Sequence, residues 1–570
     1  MTRGPLDDLD EHQREAAAAL RGPVCILAGA GTGKTRTITH RIAHGVDTGA
    51  YSPQRVMALT FTTKAAGELR GRLRGLGVEG VSARTFHSAA LAQLNFFWPQ
   101  VAGDGAPTIV DSKVRMLGQA AGDIGLRLDA ATLRDVASQI EWRKVTMRSV
   151  RQYAAERPTG LPGLALSPLI DLMEAYERIK DQRRQLDFED VLLACAGMVE
   201  SEPRVATAVR EQYRHFTVDE FQDVSPVQHR LLELWVGDRR DICVVGDASQ
   251  TIYSFAGADP RYLLEFPSRH DDAQVVRLER NYRSDAAVLA VANELMRGRP
   301  GALHLATEGE PGPLPEVVAY DDDNAEAEGI ADRVAVQLAR GVAASDIAVL
   351  YRMNAQSAPL LAALSARGIA ATVLGGKRFW DLPEVRQALM ALRAAAVAPL
   401  SGSFAATVRD VLRSLGLTDE APPAGGALRD AWEARAAVLR LAEEAPEGIT
   451  LRAFTDELTA RAKAQHEPTL RTVTLATLHA AKGLEWEHVH LMGLSEGLLP
   501  ISYATTFEQI DEERRLAYVG ITRAARTLSL SWSRASGVRE RQPSRFLQEI
   551  GRDSVRAGGG RATRAARPRR

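Results

Sequence analysis

The segment Ala28–Thr35 reads AGAGTGKT and follows the apolar run Val24–Ala28. Glycines let a backbone approach phosphate oxygens, and consecutive N–H groups at a helix start point at them. Lys34 is therefore expected to reach the β- and γ-phosphates of a nucleotide, and the Thr35 hydroxyl to bind Mg²⁺. The pattern departs from the usual one only at its first position, where Ala28 replaces glycine. We expect nucleotide contacts from Ala28, Gly29, Ala30, Gly31, Thr32, Gly33, Lys34 and Thr35.

A second group of polar residues follows the run His215–Val218, which is followed directly by Asp219 and Glu220. Two acids at the end of a buried strand are costly unless a cation or a proton transfer uses them. Asp219 is a candidate Mg²⁺ ligand, and Glu220 a candidate base for the attacking water. Taken alone, the pattern also fits a solvated loop; together with the phosphate loop it predicts a nucleoside triphosphatase.

Three further segments carry groups suited to a triphosphate. Gln250 follows the run Ile242–Val245, Tyr282 and Arg283 are adjacent, and Arg523 lies far downstream. Tyr282 offers a face for a base, and an arginine can reach a phosphate. Each arginine alone is more often part of an ordinary salt bridge. The pair in this setting predicts cationic fingers that stabilise transition-state charge in a cleft.

Short apolar runs must position these groups, and most are followed by turn residues and a helical pattern. This arrangement is typical of buried parallel strands in an α/β fold. The regions 93–186 and 386–471 instead show helical spacing and predict helical insertions. The predicted strands are Val24–Ala28, Val56–Phe61, Phe216–Val218, Ile242–Val245, Val275–Leu278, Val317–Tyr320, Ile347–Tyr351, Val473–Leu478 and Val489–Leu491.

Composition limits the class of protein. The 570 residues suffice for about three to five domains or lobes. The formal net charge of −1 excludes a uniformly basic nucleic-acid coat, so any nucleic-acid site must be a local groove. Three separated cysteines without a CxxC pair argue against a thiolate zinc site and a disulfide scaffold, as expected in a reducing cytoplasm. No segment reads as a membrane span or a signal peptide.

The order of the motifs resembles that of superfamily 1A DNA helicases of the UvrD/Rep/PcrA family. The segments LDEHQ, AGAGTGKT, ALTFTTKAAGEL, ARTFHS, LDFEDVLL, VDEFQDVSPVQ, VVGDASQTIYSFAGA, LERNYRS, DIAVLYRMNAQS, TLATLHAAKGLEWEHVHLMGLSEGLLP and DEERRLAYVGITRA carry the resemblance, over about residues 6–550. SQTIYSF and LEWEHV are most similar to the divergent second UvrD-type helicases of actinobacteria.

The resemblance implies an α/β fold of two RecA-like phosphate-loop lobes with parallel sheets, each carrying a helical insertion. Lobe 1A would comprise residues 1–92 and 187–284, with insertion 1B at 93–186. Lobe 2A would comprise 285–385 and 472–550, with a short insertion 2B at 386–471. The Arg-rich tail, 551–570, is expected to be disordered, either binding polyanions or serving as a solubilising terminus.

The same resemblance assigns roles around ATP, which would lie between the lobes. Gln13 matches the adenine-reading glutamine, and Arg36 and Tyr282 match residues that flank the adenine. Gln250, Arg283 and Arg523 match γ-phosphate contacts, and Glu485 matches the ribose contact.

On the path of single-stranded DNA, Phe61, Tyr253 and Phe255 match aromatic residues that stack on bases. Positions facing the DNA backbone are matched by Thr62, Thr85, His87, Arg352, Asn354, His479 and Lys482. Stacking contributes about 1–3 kcal/mol per base and tolerates any sequence, which suits a motor on arbitrary DNA. Outside this context Phe61 and Phe255 would more often be core residues, and His479 structural.

Together with the resemblance, these residues predict an ATP-dependent single-stranded DNA translocase and helicase of the cytoplasm that uses ATP and Mg²⁺ in repair or replication. The 3′→5′ direction is implied by the resemblance alone. Its expected partners are single-stranded DNA, junctions with a 3′ single-stranded tail and repair proteins, without a membrane. The short 2B region and Ala256, which stands where relatives have arginine, favour an alternative: a translocase that strips proteins from DNA and unwinds weakly. A catalytically silent scaffold subunit and an RNA motor are further alternatives.

Overall fold

The computed structural model describes residues 4–309, 311–374, 380, 382–396, 403–420, 427–443, 445–446, 448–463, 471–537 and 539–558. The chain forms two compact units, Met1–Glu279 and Arg280–Arg570. Each unit is built on its own parallel β-sheet with helices against it. Helices and strands are numbered along the chain.

The first unit contains a six-stranded sheet in the order β3-β2-β6-β7-β1-β8, in which every pairing is parallel. A separate pair, β4 and β5, is also parallel. The strands are β1 (Val24–Ala28), β2 (Val56–Thr60), β3 (Ser82–Thr85), β4 (Thr108–Ile109), β5 (Gln185–Leu186), β6 (His215–Val218), β7 (Ile242–Gly246) and β8 (Gln274–Leu278).

Helices pack on both faces of this sheet. Cys25 joins one apolar core, whereas its neighbours Val24 and Ile26 join another, as expected for a strand buried on both sides. The helices are α1 (Glu11–Ala18), α2 (Lys34–Asp47), α3 (Thr63–Gly75), α4 (Phe86–Ala102), α5 (Lys113–Asp123), α6 (Ala130–Val145), α7 (Val150–Glu156), α8 (Leu166–Arg183), α9 (Phe188–Ser201), α10 (Pro203–Gln212), α11 (Pro226–Val236), α12 (Arg261–Leu264) and α13 (Phe266–Arg269).

Helices α5 to α8 lie in the region predicted as the first insertion and surround a core of their own that includes Leu117, Ile140 and Leu172. A buried ionic cluster joins this insertion to α9: the Lys144 ammonium contacts carboxylate oxygens of Asp187 and Asp190, each at 2.7 Å. Because removing one partner would strand a buried charge, these pairs hold the insertion in place.

The second unit contains a seven-stranded sheet in the order β11-β12-β10-β13-β14-β9-β17, again with parallel pairings, and a small hairpin of β15 and β16. The strands are β9 (Glu316–Tyr320), β10 (Ile347–Tyr351), β11 (Ala371–Val373), β12 (Val473–Thr477), β13 (Trp486–Leu491), β14 (Ala524–Ser533), β15 (Ala535–Ser536), β16 (Arg539–Glu540) and β17 (Arg556–Ala557).

Helices α17 to α20 of this unit surround a separate apolar core that includes Val385, Leu412 and Phe454. They lie in the region predicted as the second insertion, of which 397–402, 421–426, 444, 447 and 464–470 are outside the described residues. The helices of the unit are α14 (Ala286–Met296), α15 (Asp323–Ala339), α16 (Ser357–Ser365), α17 (Pro383–Ala395), α18 (Phe404–Ser414), α19 (Ala427–Glu443), α20 (Leu451–Lys463), α21 (Phe507–Ile521) and α22 (Arg545–Glu549).

The predicted fold class is confirmed, and all nine predicted runs are strands. The segment after Glu279 packs within the second unit, where the Asn281 backbone N–H donates to Ala306 O and the Ser284 hydroxyl to Ala524 O. One expectation differs from the structure. The start of the tail is ordered rather than disordered, because β17 pairs with Glu316 and Val317; residues 559–570 lie outside the described chain.

Candidate active site

The phosphate loop connects β1 to α2. Gly31 and Gly33 have φ of +70° and +79°, a left-handed conformation in which a side chain would be strained. Gly33 is the N-cap of α2, so the first N–H groups of the helix open toward the loop. The Lys34 ammonium lies back over the loop and donates to Ala28 O at 3.3 Å. This geometry forms an anion site with the Lys34 ammonium beside it.

Gln13 packs on this loop. Its side-chain amide donates to Thr32 O at 3.0 Å, while its backbone N–H is bound by Asp10 in the capping box of α1. A Cβ on Gly33 would lie 2.7 Å from Gln13 Nε2, so this close approach also requires glycine. The Arg36 guanidinium donates to Asp8 O, which places the loop's exposed flank against the segment before α1.

Asp219 and Glu220 follow β6. Asp219 is buried and its carboxylate accepts the Glu220 backbone N–H at 3.0 Å, while Glu220 has a left-handed φ of +51°. Burial, and then the neighbouring Glu220 charge, raise the pKa of Asp219 to about 7, and the Lys34 charge opposes this rise. The pKa shift shows two acids that lack enough positive charge in this site.

Gln222 connects these acids to the next strand. Its Nε2 donates to Glu220 Oε2 at 2.5 Å, and its Oε1 accepts the Asp247 backbone N–H at 3.0 Å. A Cβ on Gly246 would lie 2.4 Å from Gln222 Oε1, so glycine at the end of β7 makes room for the amide. Gln222 is fully buried, and its two hydrogen bonds fix the Glu220 carboxylate relative to β7.

Asp247 in turn holds Gln250. Its Oδ2 accepts from Gln250 Nε2 at 2.8 Å, and its Oδ1 accepts the Ser249 backbone N–H. Since β1, β6 and β7 are parallel and β7 lies between the other two, their carboxyl ends share one edge of the sheet. The structure thereby brings the phosphate loop, Asp219, Glu220 and Gln250 to one edge.

The remaining predicted nucleotide contacts lie in the second unit. The Arg283 guanidinium forms an ion pair with Glu485 and donates to Thr522 O at 3.4 Å. Arg523 is buried and donates from Nε to Val519 O and from a terminal nitrogen to Leu484 O. Tyr282 is half exposed, with the Arg280 guanidinium 5.3 Å from its ring centre. These four predicted residues therefore form one cluster.

The predicted DNA residues of the first unit occupy helix starts and exposed aromatic positions. Thr62 and Thr85 are the N-caps of α3 and α4. Phe61 packs beside the core, 6.3 Å from Phe86 between ring centres. The His87 ring stacks on Phe188 at 3.8 Å, and burial lowers the pKa of His87 to about 4, so its imidazole is neutral at pH 7.

Tyr253 and Phe255 form an edge-to-face pair with ring centres 6.1 Å apart. Phe255 is 61% exposed, which is unusual for a ring of this size. The left-handed Gly257 ends this short segment, and a Cβ there would lie 2.7 Å from Val145 Cγ2 of α6. The two rings are thus an outward-facing aromatic surface on a fixed turn.

In the second unit, Arg352 is part of a buried bidentate pair with Glu513, with distances of 2.8–3.1 Å. Burial, and then the charges of Arg352 and Lys482, lower the pKa of His479 to about 4. Arg352, His479 and Lys482 therefore lie within electrostatic range of one another. Asn354 is exposed at the start of a 3₁₀ turn after β10.

Sequence reasoning missed the residues that hold these groups. Gln222, Asp247, Glu513 and Phe188 contact predicted site residues but were assigned no role. A local signal could have indicated Gln222, which is an amide two residues after Glu220. The partner of Arg352 lies 161 positions away and carries no local signal.

Within the described residues, no group of three or more histidine, cysteine, aspartate or glutamate side chains could hold a metal ion. A helix long and apolar enough to cross a membrane is also absent from this part of the chain.

The fold and the site define a phosphate-loop protein of two parallel-sheet α/β units with RecA-like lobes. The UvrD/REP helicase N-terminal domain matches residues 9–271, and the UvrD-like helicase C-terminal domain matches residues 276–416 and 439–535. The chain belongs to the UvrD/PcrA-type family of ATP-dependent DNA helicases.

Three relatives illustrate this membership. The chain is 46% identical to the ATP-dependent DNA helicase UvrD2 of Mycobacterium tuberculosis, over 95% of this chain and 81% of the relative. It is 29% identical to DNA helicase II of Escherichia coli, over 96% and 88%, respectively. It is 28% identical to the ATP-dependent DNA helicase PcrA of Leuconostoc citreum, over 95% and 84%.

Proposed function

We propose that this chain is a 3′→5′ single-stranded DNA translocase that couples ATP hydrolysis to strand movement and unwinds duplex DNA. The observation that carries the proposal is the hydrogen-bonded chain Glu220–Gln222–Asp247–Gln250 beside the phosphate loop. It links a base for water to a group suited to sensing the γ-phosphate. Such a linkage is what a motor needs to time hydrolysis.

The chemistry of hydrolysis rests on named side chains. Lys34 and the start of α2 bind the β- and γ-phosphates. Glu220, held by Gln222, orients the attacking water and accepts its proton. Arg283 and Arg523 neutralise charge that develops on the γ-phosphate, and Glu485 contacts the ribose. Gln13, Arg36 and Tyr282 bind the adenine.

Asp219 and Thr35 carry oxygen atoms that could hold a Mg²⁺ ion. The buried Asp219 carboxylate and the Thr35 hydroxyl are oxygen donors of the kind that Mg²⁺ prefers, with phosphate oxygens and water as its other ligands. The raised pKa of Asp219, caused by burial and by Glu220, indicates a shortage of positive charge that a divalent ion would correct. When bound, the ion neutralises phosphate charge during transfer.

The DNA track uses rings and helix starts. Phe61, Tyr253 and Phe255 stack on successive bases without regard to sequence. The helix starts at Thr62 and Thr85 suit phosphate oxygens, since both helices carry partial positive charge there. His87 is neutral and serves as a hydrogen-bonding group. Arg352, Asn354, His479 and Lys482 contact the same strand from the second unit.

One feature favours a second candidate, a translocase that strips proteins from DNA and unwinds poorly by itself. Ala256 follows the exposed Phe255 where relatives in the family have arginine, which removes one cationic contact with DNA. A forked-duplex assay run beside an ATPase assay separates the candidates: strong ATPase with little strand separation would favour the stripping translocase.

The proposed setting is the cytoplasm, at DNA junctions with a 3′ single-stranded tail, together with repair proteins. Duplexes that carry either a 3′ or a 5′ tail test the polarity. Unwinding of only the 3′-tailed substrate is expected. Preference for the 5′ tail would overturn the direction, and an equal preference for RNA strands would favour an RNA motor.

A further inference from the structure

A cavity of about 690 Å³ opens at the amino ends of the strands in the first unit, the edge opposite the phosphate loop. The motor chemistry uses the carboxyl ends and leaves this edge unassigned. We call this cavity the basic cavity. Its charged lining residues are Arg21, Arg55, Arg214, Arg239, Arg240 and Asp241.

The arginines of the basic cavity lie just before neighbouring strands of the sheet. Arg55 directly precedes β2, Arg214 directly precedes β6, Arg240 stands two residues before β7, and Arg21 three residues before β1. These four strands are consecutive neighbours in the sheet. At about 4.8 Å between strands, the row spans about 14 Å. A row of this length can face more than one phosphate of a DNA strand.

Some of these arginines are held in place by the protein. Arg21 pairs with Asp241 at 3.0 Å and donates to Ala50 O, and Arg239 donates to Tyr213 O at 2.6 Å. Arg240 forms an exposed ion pair with Asp272. The contacts of Arg21 and Arg239 with backbone carbonyl oxygens restrain these two guanidinium groups before any ligand arrives.

Arg55 and Arg214 are different. Both are exposed, and within the residues that the structure describes neither side chain forms an ion pair. Burial and the charges of Arg214, Arg210 and Arg55 lower the pKa of Arg239. The cavity therefore concentrates positive charge that its single lining carboxylate does not neutralise.

His215 supplies a second, independent observation. It is 8% exposed, lines the cavity and packs against Tyr51 with ring centres 4.2 Å apart and the ring planes tilted by 31°. Among the described residues its Nδ1 has no hydrogen-bond partner, and the nearest carboxylate oxygen, on Asp241, is 3.6 Å away. A buried polar atom of this kind is costly unless a ligand or water satisfies it.

We propose that the basic cavity binds the phosphodiester backbone of DNA outside the motor's own single-strand track. Its lining residues include no phenylalanine, tyrosine or tryptophan, and the lining imidazole of His215 is buried against Tyr51, so the lining favours phosphates over bases. One guanidinium group can bind two oxygens of the same phosphate. Several arginines along one edge therefore suit a chain of phosphates, such as a DNA backbone, better than a single phosphate. The partner strand is thereby retained while the motor moves along the other.

The test compares the double variant Arg55→Gln/Arg214→Gln with the wild-type chain. The control, Arg178→Gln/Arg204→Gln, removes two exposed helical arginines that form no ion pair in the described structure and do not line the cavity. Binding of a fluorescein-labelled forked duplex and of a short oligo(dT) is measured over a range of NaCl concentrations. Thermal unfolding checks that each variant is folded.

We expect the cavity variant to bind the fork about 5- to 10-fold more weakly than the control does. The slope of log affinity against log salt should shrink by about 1–2, since each lost phosphate contact contributes about 0.9. Oligo(dT) affinity and ATPase at saturating oligo(dT) should stay unchanged. Arg214→Glu should weaken fork binding further, because it reverses a charge.

Unchanged fork affinity and salt slope would overturn the proposal. If the variant loses only its stabilisation by tripolyphosphate, the ligand is a free polyphosphate. If it loses only binding of poly-glutamate, the ligand is an acidic protein. Either result would also overturn the proposal. Because the readout is binding, it remains interpretable if the wild-type chain lacks DNA-stimulated ATPase, which would refute the proposed motor function.

Discussion

Gln222 donates its side-chain amide to the Glu220 carboxylate at 2.5 Å, and the same amide accepts the backbone N–H of Asp247 at 3.0 Å. Glu220 is therefore not positioned by its own loop alone. Its orientation depends on the end of β7, where Asp247 also holds Gln250. In the proposed mechanism, a change sensed at Gln250 can therefore move the Glu220 carboxylate that orients the attacking water.

Replacing Gln222 by alanine should lower kcat for ATP hydrolysis by about 10- to 100-fold. The loss should be smaller than that for removing a general base, because Glu220 remains but is no longer held in position. ATP affinity should change less than twofold, because Lys34 and the loop are untouched. The measurement is steady-state ATPase together with equilibrium binding of ATP. Gln228→Ala is the control, since Gln228 is also a buried amide but its side chain, among the described residues, binds the Ser225 backbone N–H at 2.9 Å and not Glu220 or Asp247. Equal losses in both variants would show general damage to the fold.

Replacing Tyr253 by alanine should raise the number of ATP molecules consumed per nucleotide translocated more than it changes the KM for ATP. A lost base stack costs about 1–3 kcal/mol on the DNA. Stopped-flow translocation on labelled oligo(dT), run beside phosphate release, gives the ratio. The exposed Phe96, at 65%, offers a control aromatic in the same unit. An effect of Tyr253→Ala on ATP affinity alone would refute its stacking role.

Arg352→Gln should destabilise the second unit by about 3 kcal/mol, because Glu513 is left buried and charged. The double variant with Glu513→Gln should recover stability but not affinity for oligo(dT), which separates folding from DNA binding. Urea unfolding and DNA titration are the measurements. The more exposed pair Arg367–Asp332, at 2.7 Å, is the control, and its loss should cost less than about 1 kcal/mol. Full recovery of DNA affinity in the double variant would exclude Arg352 from the track.

Glu326 lies in the core of the second unit, where it accepts from the Ser531 hydroxyl and the Gly493 backbone N–H. Burial raises its pKa to about 7, so the folded chain holds this proton more tightly than the unfolded chain does. The free energy of unfolding should therefore fall as pH rises from about 4.5 to about 7, and level off above that.

Glu326→Gln removes this titration, so its stability relative to the wild-type chain should be higher at pH 8 than at pH 5 by about 2 kcal/mol. Urea unfolding at the two pH values is the measurement. Glu328→Gln, an exposed change in the same helix, should show no such difference. A difference independent of pH would mean that Glu326 is ionised in the fold.

Local sequence signals were sufficient for the strands and for residues at strand ends. Lys34, Asp219 and Gln250 each follow a short apolar run, and each lies where such a run predicts. The sheet order β6-β7-β1, which makes these ends neighbours, has no local signal, because it depends on long-range packing.

Contacts between distant residues could not be predicted. The Arg352–Glu513 pair and the Gln222–Asp247 bond join positions that only the folded sheets bring together. Composition was a poor guide at the start of the tail. Its arginines predicted disorder, but β17 pairs with β9 and extends the second sheet. This pairing is made by backbone groups and depends little on the side chains.

The most direct test of the central claim is the rate of ATP hydrolysis with and without single-stranded DNA, measured for the wild-type chain, Lys34→Ala and the control Lys64→Ala. We predict hydrolysis that rises at least about tenfold with DNA in the wild-type chain and in Lys64→Ala. Lys34→Ala should lose hydrolysis while still binding DNA. Hydrolysis that is independent of DNA, or retained in Lys34→Ala, would contradict a motor powered at this phosphate loop.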